Sequence, residues 1–288
     1  MSVSEKIMSM SATLSKKHNL LGKYILDNIF DVALMNAPQI ARAAGVSEAT
    51  LTRFVYTLGY NSFSELLLDL RKETINSNNI QFRQEPHTDS DGKVYRRVFD
   101  LEMDLMRETL NGIDPDSFDK ASEMLLDCDH LLLVGGPIHN FIALYAANFI
   151  CAYRENVHVV SQVDMMLISL LGMIGPKSTA LVFSYPRYSS EVQKIAEVLA
   201  EKGVRIISVT DSKLSPIVPM SQLYFITPQR YVVLADANAC VLALVHSFMV
   251  AMYSRHSDKI KKKLENYEKN VLAADMFVYK DYDFVKKL

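Results

Sequence analysis

The stretch at residues 37–60, APQIARAAGVSEATLTRFVYTLGY, limits what this chain can fold into more than any other. Ile40, Ala41 and Ala44 form an apolar face on a short helix. Gly45 follows, where a sharp turn needs a residue tolerant of the left-handed region. Ser47 is placed to cap a second helix by accepting bonds from its free amides. In that helix Leu51, Phe54, Val55 and Leu58 recur at i, i+3, i+4 and i+7, so they face a core. Ala41 is small enough to let the two helices cross closely. Two short helices joined in this way form a helix-turn-helix, whose second helix enters the DNA major groove.

With the core face fixed, Glu48, Ala49, Thr52, Arg53 and Tyr56 occupy the opposite face, with Ser47 at its start. These six are the candidate DNA contacts. Arg53 suits a guanine edge or a phosphate, and Thr52 and Tyr56 suit bases or phosphates. The plainer alternative is a helical hairpin with no DNA function and a solvated Arg53. Residues 1–80 hold 8 Lys/Arg and 7 Asp/Glu, so nonspecific DNA affinity should be modest unless dimerisation doubles the contacts.

The rest of the chain reads differently. At 288 residues it suits two domains. Residues 1–75 show helical periodicity throughout, as at Leu21, Tyr24, Ile25 and Ile29. Residues 76–92, NSNNIQFRQEPHTDSDG, are polar and contain Pro and Gly, the composition of a linker. From residue 93 to 288 short buried runs alternate with helical ones. Strands are expected at 130–134, 157–160, 179–183, 204–209 and 222–226. Helices are expected at 94–112, from Asp114-Pro115 onward, and at 138–152, 163–172, 189–202 and 234–256. Continuous apolar strands alternating with helices imply a parallel sheet covered on both faces. The fold class is therefore α/β, with an all-α N-terminal domain.

A net charge of −2 excludes a globally basic nucleic-acid coat but not a reader with a local positive face. Cys128, Cys151 and Cys240 are scattered, without metal-ligand spacing, and are expected as buried thiols in a reducing compartment. The N-terminal residues lack the apolar core of a secretory signal, and no apolar run reaches the roughly 20 residues of a membrane span. A cytoplasmic protein without metal or cofactor is expected.

The run AGVSEAT–TRF–LGYNSF resembles the RpiR-type regulators, with Thr50, Arg53, Phe54, Leu58, Gly59 and Phe63 in place. The resemblance extends over nearly the whole chain, because those proteins join such a domain to a sugar isomerase (SIS) domain. It implies a doubly wound five-stranded parallel sheet that binds a sugar phosphate.

In an open parallel sheet, ligands sit beyond the carboxyl ends of the strands, near helix N-termini. Residues 134–140, VGGPIHN, and 183–191, FSYPRYSSE, are the loops placed for this. SIS domains carry Gly-x-Gly-x-Ser at the first loop and Ser-x-Ser-Gly-x-Thr-x-Glu at the second. Gly135 matches the first glycine, Pro137 replaces the second, and His139 replaces the serine. Ser184 and Glu191 match in the second loop, while Pro186 replaces a serine, Arg187 the glycine, and Ser189 the threonine. The prolines remove backbone donors. Arg187 adds a fork suited to phosphate or carboxylate, and His139 a titratable donor. Gly135, His139, Ser184, Arg187, Ser189 and Glu191 are thus the candidate ligand residues. A packed His139 and a salt-bridged surface Arg187 are the plain alternatives.

Asp164 and Asp236 read as charge partners of helix N-termini. Lys259 to Lys263 read as a solvated helix face. The aromatic tail at 276–284 is expected to pack, with a partner subunit as one surface for it. The sequence as a whole reads as a DNA-binding regulator modulated by a small anionic effector, such as a phosphorylated sugar. Its partners would be a double-stranded operator and further copies of itself, as a homodimer or homotetramer. The alternatives are a sugar-phosphate aldose–ketose isomerase, for which only His139 and Glu191 stand near the loops as bases, and an assembly module without ligand.

Overall fold

Helix ends fall where the sequence supplies caps. In the computed structural model, which describes residues 2–11, 13–80, 94–230, 236–255 and 257–278, the chain divides into two compact units. The first is helical: α1 (Val3–Met10), α2 (Lys16–Asp27), α3 (Ile29–Val32), α4 (Ala37–Ala43), α5 (Glu48–Thr57) and α6 (Phe63–Ile80). Asn36 and Gln39 form a reciprocal capping box at the start of α4, at 3.0 and 2.8 Å. Ser47 caps α5 by accepting from the Thr50 amide at 3.2 Å.

Leu21, Ile25, Ile40, Leu51, Phe54, Leu66 and Leu70 fill the core of this unit. A Cβ at Gly22 would stand 2.9 Å from Ile7 Cγ2, so a larger residue there would force Ile7 or α1 to shift. The expected linker at 76–92 is described only at 76–80, where the backbone continues α6. No Pro or Gly interrupts Asn76-Ser77-Asn78-Asn79, so nothing stops the helical ladder there. The remainder of that linker lies outside the described residues.

The second unit contains α7 (Val94–Gly112), α8 (Pro115–Leu126), β1 (Leu131–Gly135), α9 (Asn140–Ile150) and β2 (Val157–Val160). It continues with α10 (Met165–Leu170), β3 (Thr179–Ser184), α11 (Ser190–Glu201), β4 (Arg205–Thr210) and β5 (Leu223–Ile226). It ends with α12 (Ala239–Arg255) and α13 (Ser257–Ala273). The five strands pair in the order β2-β1-β3-β4-β5, all parallel. Every residue of β1 and β3 is buried. Both faces are covered, which is why these strands read as unbroken apolar runs. One face, with Leu131, Leu133, Leu181 and Phe183, packs in a cluster with residues of α8, α9 and α12. The other, with Leu132, Val134, Ala180 and Val182, packs with residues of α10 and α11.

The chain leaves β1 for β2 on one side and resumes at β3 on the other. The loops after β1 and β3 therefore splay apart at the carboxyl edge and open a crevice.

One expectation needs correction. Cys128 and Cys240 are buried, but Cys151 is exposed. It caps the C-terminus of α9, whose outer face also leaves Phe149 and Leu144 in contact with water. Met276, Phe277 and Val278, the described start of the aromatic tail, are exposed on this chain, and residues 279–284 lie outside the described residues. In the basic run, Ile260 is a buried position of α13, and Lys263 meets Glu155 at 3.4 Å.

Candidate functional site

The first candidate surface is the outer face of α5. Gly45 adopts φ +67 between α4 and α5, a conformation that L side chains rarely take, so the sharp turn depends on glycine. Phe54 and Leu51 anchor the helix from below. Ser47, Glu48, Ala49, Thr52, Arg53 and Tyr56 are all exposed on its other side. Thr52 donates back to the Glu48 carbonyl at 3.0 Å, and Arg53 Nε donates to the Ala49 carbonyl at 3.1 Å. His18 of α2 packs edge-on against Phe54 at 5.4 Å. Burial first, and then the Arg53 charge, hold its pKa below the usual histidine range. Nothing in the periodicity of α2 signalled that its start would stand beside the recognition helix.

The second candidate is the crevice between the loops after β1 and β3. Those loops enclose a cavity of about 180 Å³. His139, Ser184, Arg187 and Ser189 line it, whereas Gly135 and Glu191 lie outside the lining. Gly135 serves the loop beneath: a Cβ there would stand 2.7 Å from the His139 carbonyl oxygen. Gly136 does the same against α11, where a Cβ would meet Ser189 at 3.1 Å. Glu191 Oε1 accepts from the Val163 amide at 2.7 Å, tying the start of α11 to the segment after β2.

His139 is both packed and addressed to the site. It is buried, with Nε2 2.8 Å from Asp236 Oδ2 and its ring 4.8 Å from that of Tyr185. Asp236 therefore partners a histidine 97 positions away in sequence rather than a helix N-terminus. Asp164 does act as expected, capping α10 by accepting from the Leu167 amide at 2.9 Å. Tyr185 is fully enclosed, with its hydroxyl 2.6 Å from that of Thr227. Burial pushes its pKa far above the tyrosine range.

Arg187 stands where SIS domains carry glycine, and it keeps the glycine-like backbone, at φ +70. Its side chain is exposed at the rim. The following Tyr188 has φ +24, and its amide is spent on the Tyr185 carbonyl at 2.8 Å. Ser189 lines the cavity and caps α11, its hydroxyl accepting from the Val192 amide. Tyr185, Tyr188, Thr227 and Asp211 were missed from sequence, and Asp236 was read only as a helix charge partner, because no motif spacing connects them.

Comparison with known proteins bears on the family and the fold. A family model described as a helix-turn-helix domain of the rpiR family matches residues 1–77, and one for the SIS domain matches residues 124–253. The regulator HexR of Pseudomonas aeruginosa is 23% identical over 207 residues, covering 72% of each chain. The regulator RpiR of Escherichia coli is 21% identical over 242 residues, covering 83% of this chain and 80% of its own. Among solved structures, the NanR protein of Vibrio vulnificus complexed with ManNAc-6P is 17% identical with a TM-score of 0.62. It covers 96% of this chain and 99% of its own.

Proposed function

Since the chain belongs to the RpiR-type regulators, joining their helix-turn-helix domain to a SIS domain, we propose that the exposed face of α5 reads an operator and the crevice beyond β1 and β3 binds a small anion that modulates the reading. The observation that carries this is the joint placement of Arg187, Ser184 and the capped start of α11 around one cavity. Arg187 offers a charge-assisted fork, Ser184 a hydroxyl, and the helix start a partial positive charge. A phosphorylated sugar or a related metabolite is the class of effector, as the ManNAc-6P complex of the structural neighbour supports.

The protein works in the cytoplasm and as a dimer or tetramer. On the second unit, Phe99 and Leu110 of α7 are 67% and 70% exposed, and Met165 and Met166 of α10 are 80% and 81% exposed. Large apolar side chains left in water in such number fit faces covered by another copy. A two-fold assembly would also set the spacing of two recognition helices, which half-sites about 34 Å apart require. We place the domain boundary in residues 76–92, with the helical unit before it and the sheet unit after it.

Regulation needs no chemistry on the effector. The one observation favouring an isomerase is the His139–Asp236 pair, which could orient a base. Incubating the protein with sugar phosphates in heavy water separates the readings: stereospecific exchange at C2 would establish the enzyme. For the regulator, a thermal-shift screen of phosphorylated and acidic metabolites should return a compound whose binding also changes operator affinity. A ligand at 100 times its Kd adds about 2.7 kcal/mol of stability. A compound that binds the sheet unit but leaves operator affinity unchanged would refute the coupling.

A further inference from the structure

Asp211 immediately follows β4, at the carboxyl edge of the sheet. Its Oδ1 accepts the Tyr188 hydroxyl at 2.8 Å and lies 3.3 Å from the Thr210 hydroxyl. That Thr210 hydroxyl also donates to the Ser184 carbonyl at 2.6 Å. Asp211 thus holds the Tyr188 end of the loop that lines the cavity, and the adjacent Thr210 holds its Ser184 end. Between those ends, Arg187 and Tyr188 hold positive φ, which side-chain-bearing residues keep only when their surroundings impose it. The Tyr188 side chain and amide are both held there, by Asp211 and by the Tyr185 carbonyl.

Asp211 does not line the cavity itself but stands behind it, bonded to the lining Tyr188, and a carboxylate one side chain behind an anion site is a costly anchor, because like charges repel where solvent screening is weak. We propose that the effector anion binds together with a proton, and that Asp211 is the group that takes it up. The inference rests on the anion-site reading given above. Burial raises the Asp211 carboxyl to about 6, against the opposing pull of the Tyr188 hydrogen bond. Near neutrality it is mostly ionised, and a second negative charge nearby would move its titration into the neutral range. A protonated carboxyl can still accept from Tyr188 through one oxygen, so the loop keeps its anchor while the repulsion disappears.

The other groups in reach do not replace this role. Tyr185 is enclosed and feels both Asp211 and Asp236, but its hydroxyl stays protonated. Asp236 is paired with His139 at 2.8 Å. Arg187 and Lys213, the neighbouring cations in the chain, are exposed. His139 is the rival acceptor, so the test must distinguish the two.

The test is calorimetric titration of the full chain with sulfate, which remains a dianion throughout, in pairs of buffers with different ionisation enthalpies. The expected result is a buffer-dependent heat near pH 7 that corresponds to uptake of up to about one proton. Affinity should fall roughly tenfold between pH 6 and pH 8. Asp211→Asn should bind at pH 8 about as wild type binds at pH 6, with no buffer dependence. Sulfate binding by wild type with no buffer dependence would overturn the proton coupling and leave the anion site standing. Uptake that persists in Asp211→Asn but is lost in His139→Gln would overturn the assignment to Asp211. Failure of sulfate to bind at any pH would overturn the anion site and this inference together. If Asp211→Asn does not fold, the two-buffer measurement on wild type and His139→Gln still decides between the outcomes.

Discussion

The recognition face of the helical unit and the crevice of the sheet unit are built on opposite plans. The six residues on the outer face of α5 lie within ten positions of one another, and one helical period orients them all. The crevice draws on β1, β3, β4 and the segment before α12, joined by contacts such as His139–Asp236 and Tyr188–Asp211. A local surface can change one side chain at a time without disturbing its neighbours. An assembled one cannot: replacing glycine by Arg187 goes together with a held left-handed backbone and a carboxylate to hold it. The difference teaches where each unit tolerates substitution.

The largest expected effect is Phe54→Ala, because the side chain is fully buried at the centre of the helical unit. It should cost about 3–5 kcal/mol. Scanning calorimetry should show the helical unit melting early while the sheet unit keeps its transition. A single transition displaced as a whole would mean that the two units do not fold independently and that the comparison compares nothing real.

Gly135→Ala comes next. Its Cβ would press on the backbone carbonyl of His139, a neighbour that cannot swing away, so the sheet unit should lose about 1–3 kcal/mol. Effector binding should weaken as the β1 loop shifts, while operator binding by the helical unit stays intact. Unchanged stability in chemical denaturation would show that the loop is softer than this packing implies.

Asp211→Asn tests the cost of the anchor. The folded carboxyl titrates at about 6, above its ordinary value of 3.8, so the stability linked to its proton is fully present below 3.8 and is lost as pH rises through 6. Wild type should therefore lose on the order of 2 kcal/mol relative to the variant between pH 4 and pH 8. Thermal melts across that range should show the two proteins diverging, with the variant the more stable at pH 8. Parallel curves would remove the burial cost from the account.

How much of this was legible in the sequence follows the same division. Gly45, Ser47 and the Leu51–Phe54–Val55–Leu58 stripe act through neighbours three or four positions away, so composition and period sufficed. The five strands were legible because both faces of β1 and β3 are covered, leaving runs of apolar residues. Positions matched to a motif, such as Ser184 and Ser189, were legible as candidates. Asp211, Tyr188 and Tyr185 were not, since their roles depend on which strands stand side by side at the carboxyl edge. Asp236 was visible as a residue but not as the partner of His139, for the same reason. The exposure of Cys151 also escaped, because an apolar run around a cysteine does not say whether the covering surface belongs to the same chain.

The central claim is that reading and sensing reside on separate surfaces and are coupled. It is tested most directly by fluorescence anisotropy on an operator fragment selected by the wild-type protein, titrated with the effector found by thermal shift. Arg53→Ala should lose roughly 1–3 kcal/mol of operator affinity while binding the effector as wild type does. Arg187→Ala should bind the operator normally and no longer respond to effector concentrations that shift wild type. If Arg187→Ala responds like wild type, or if Arg53→Ala binds the operator undiminished, the account is contradicted.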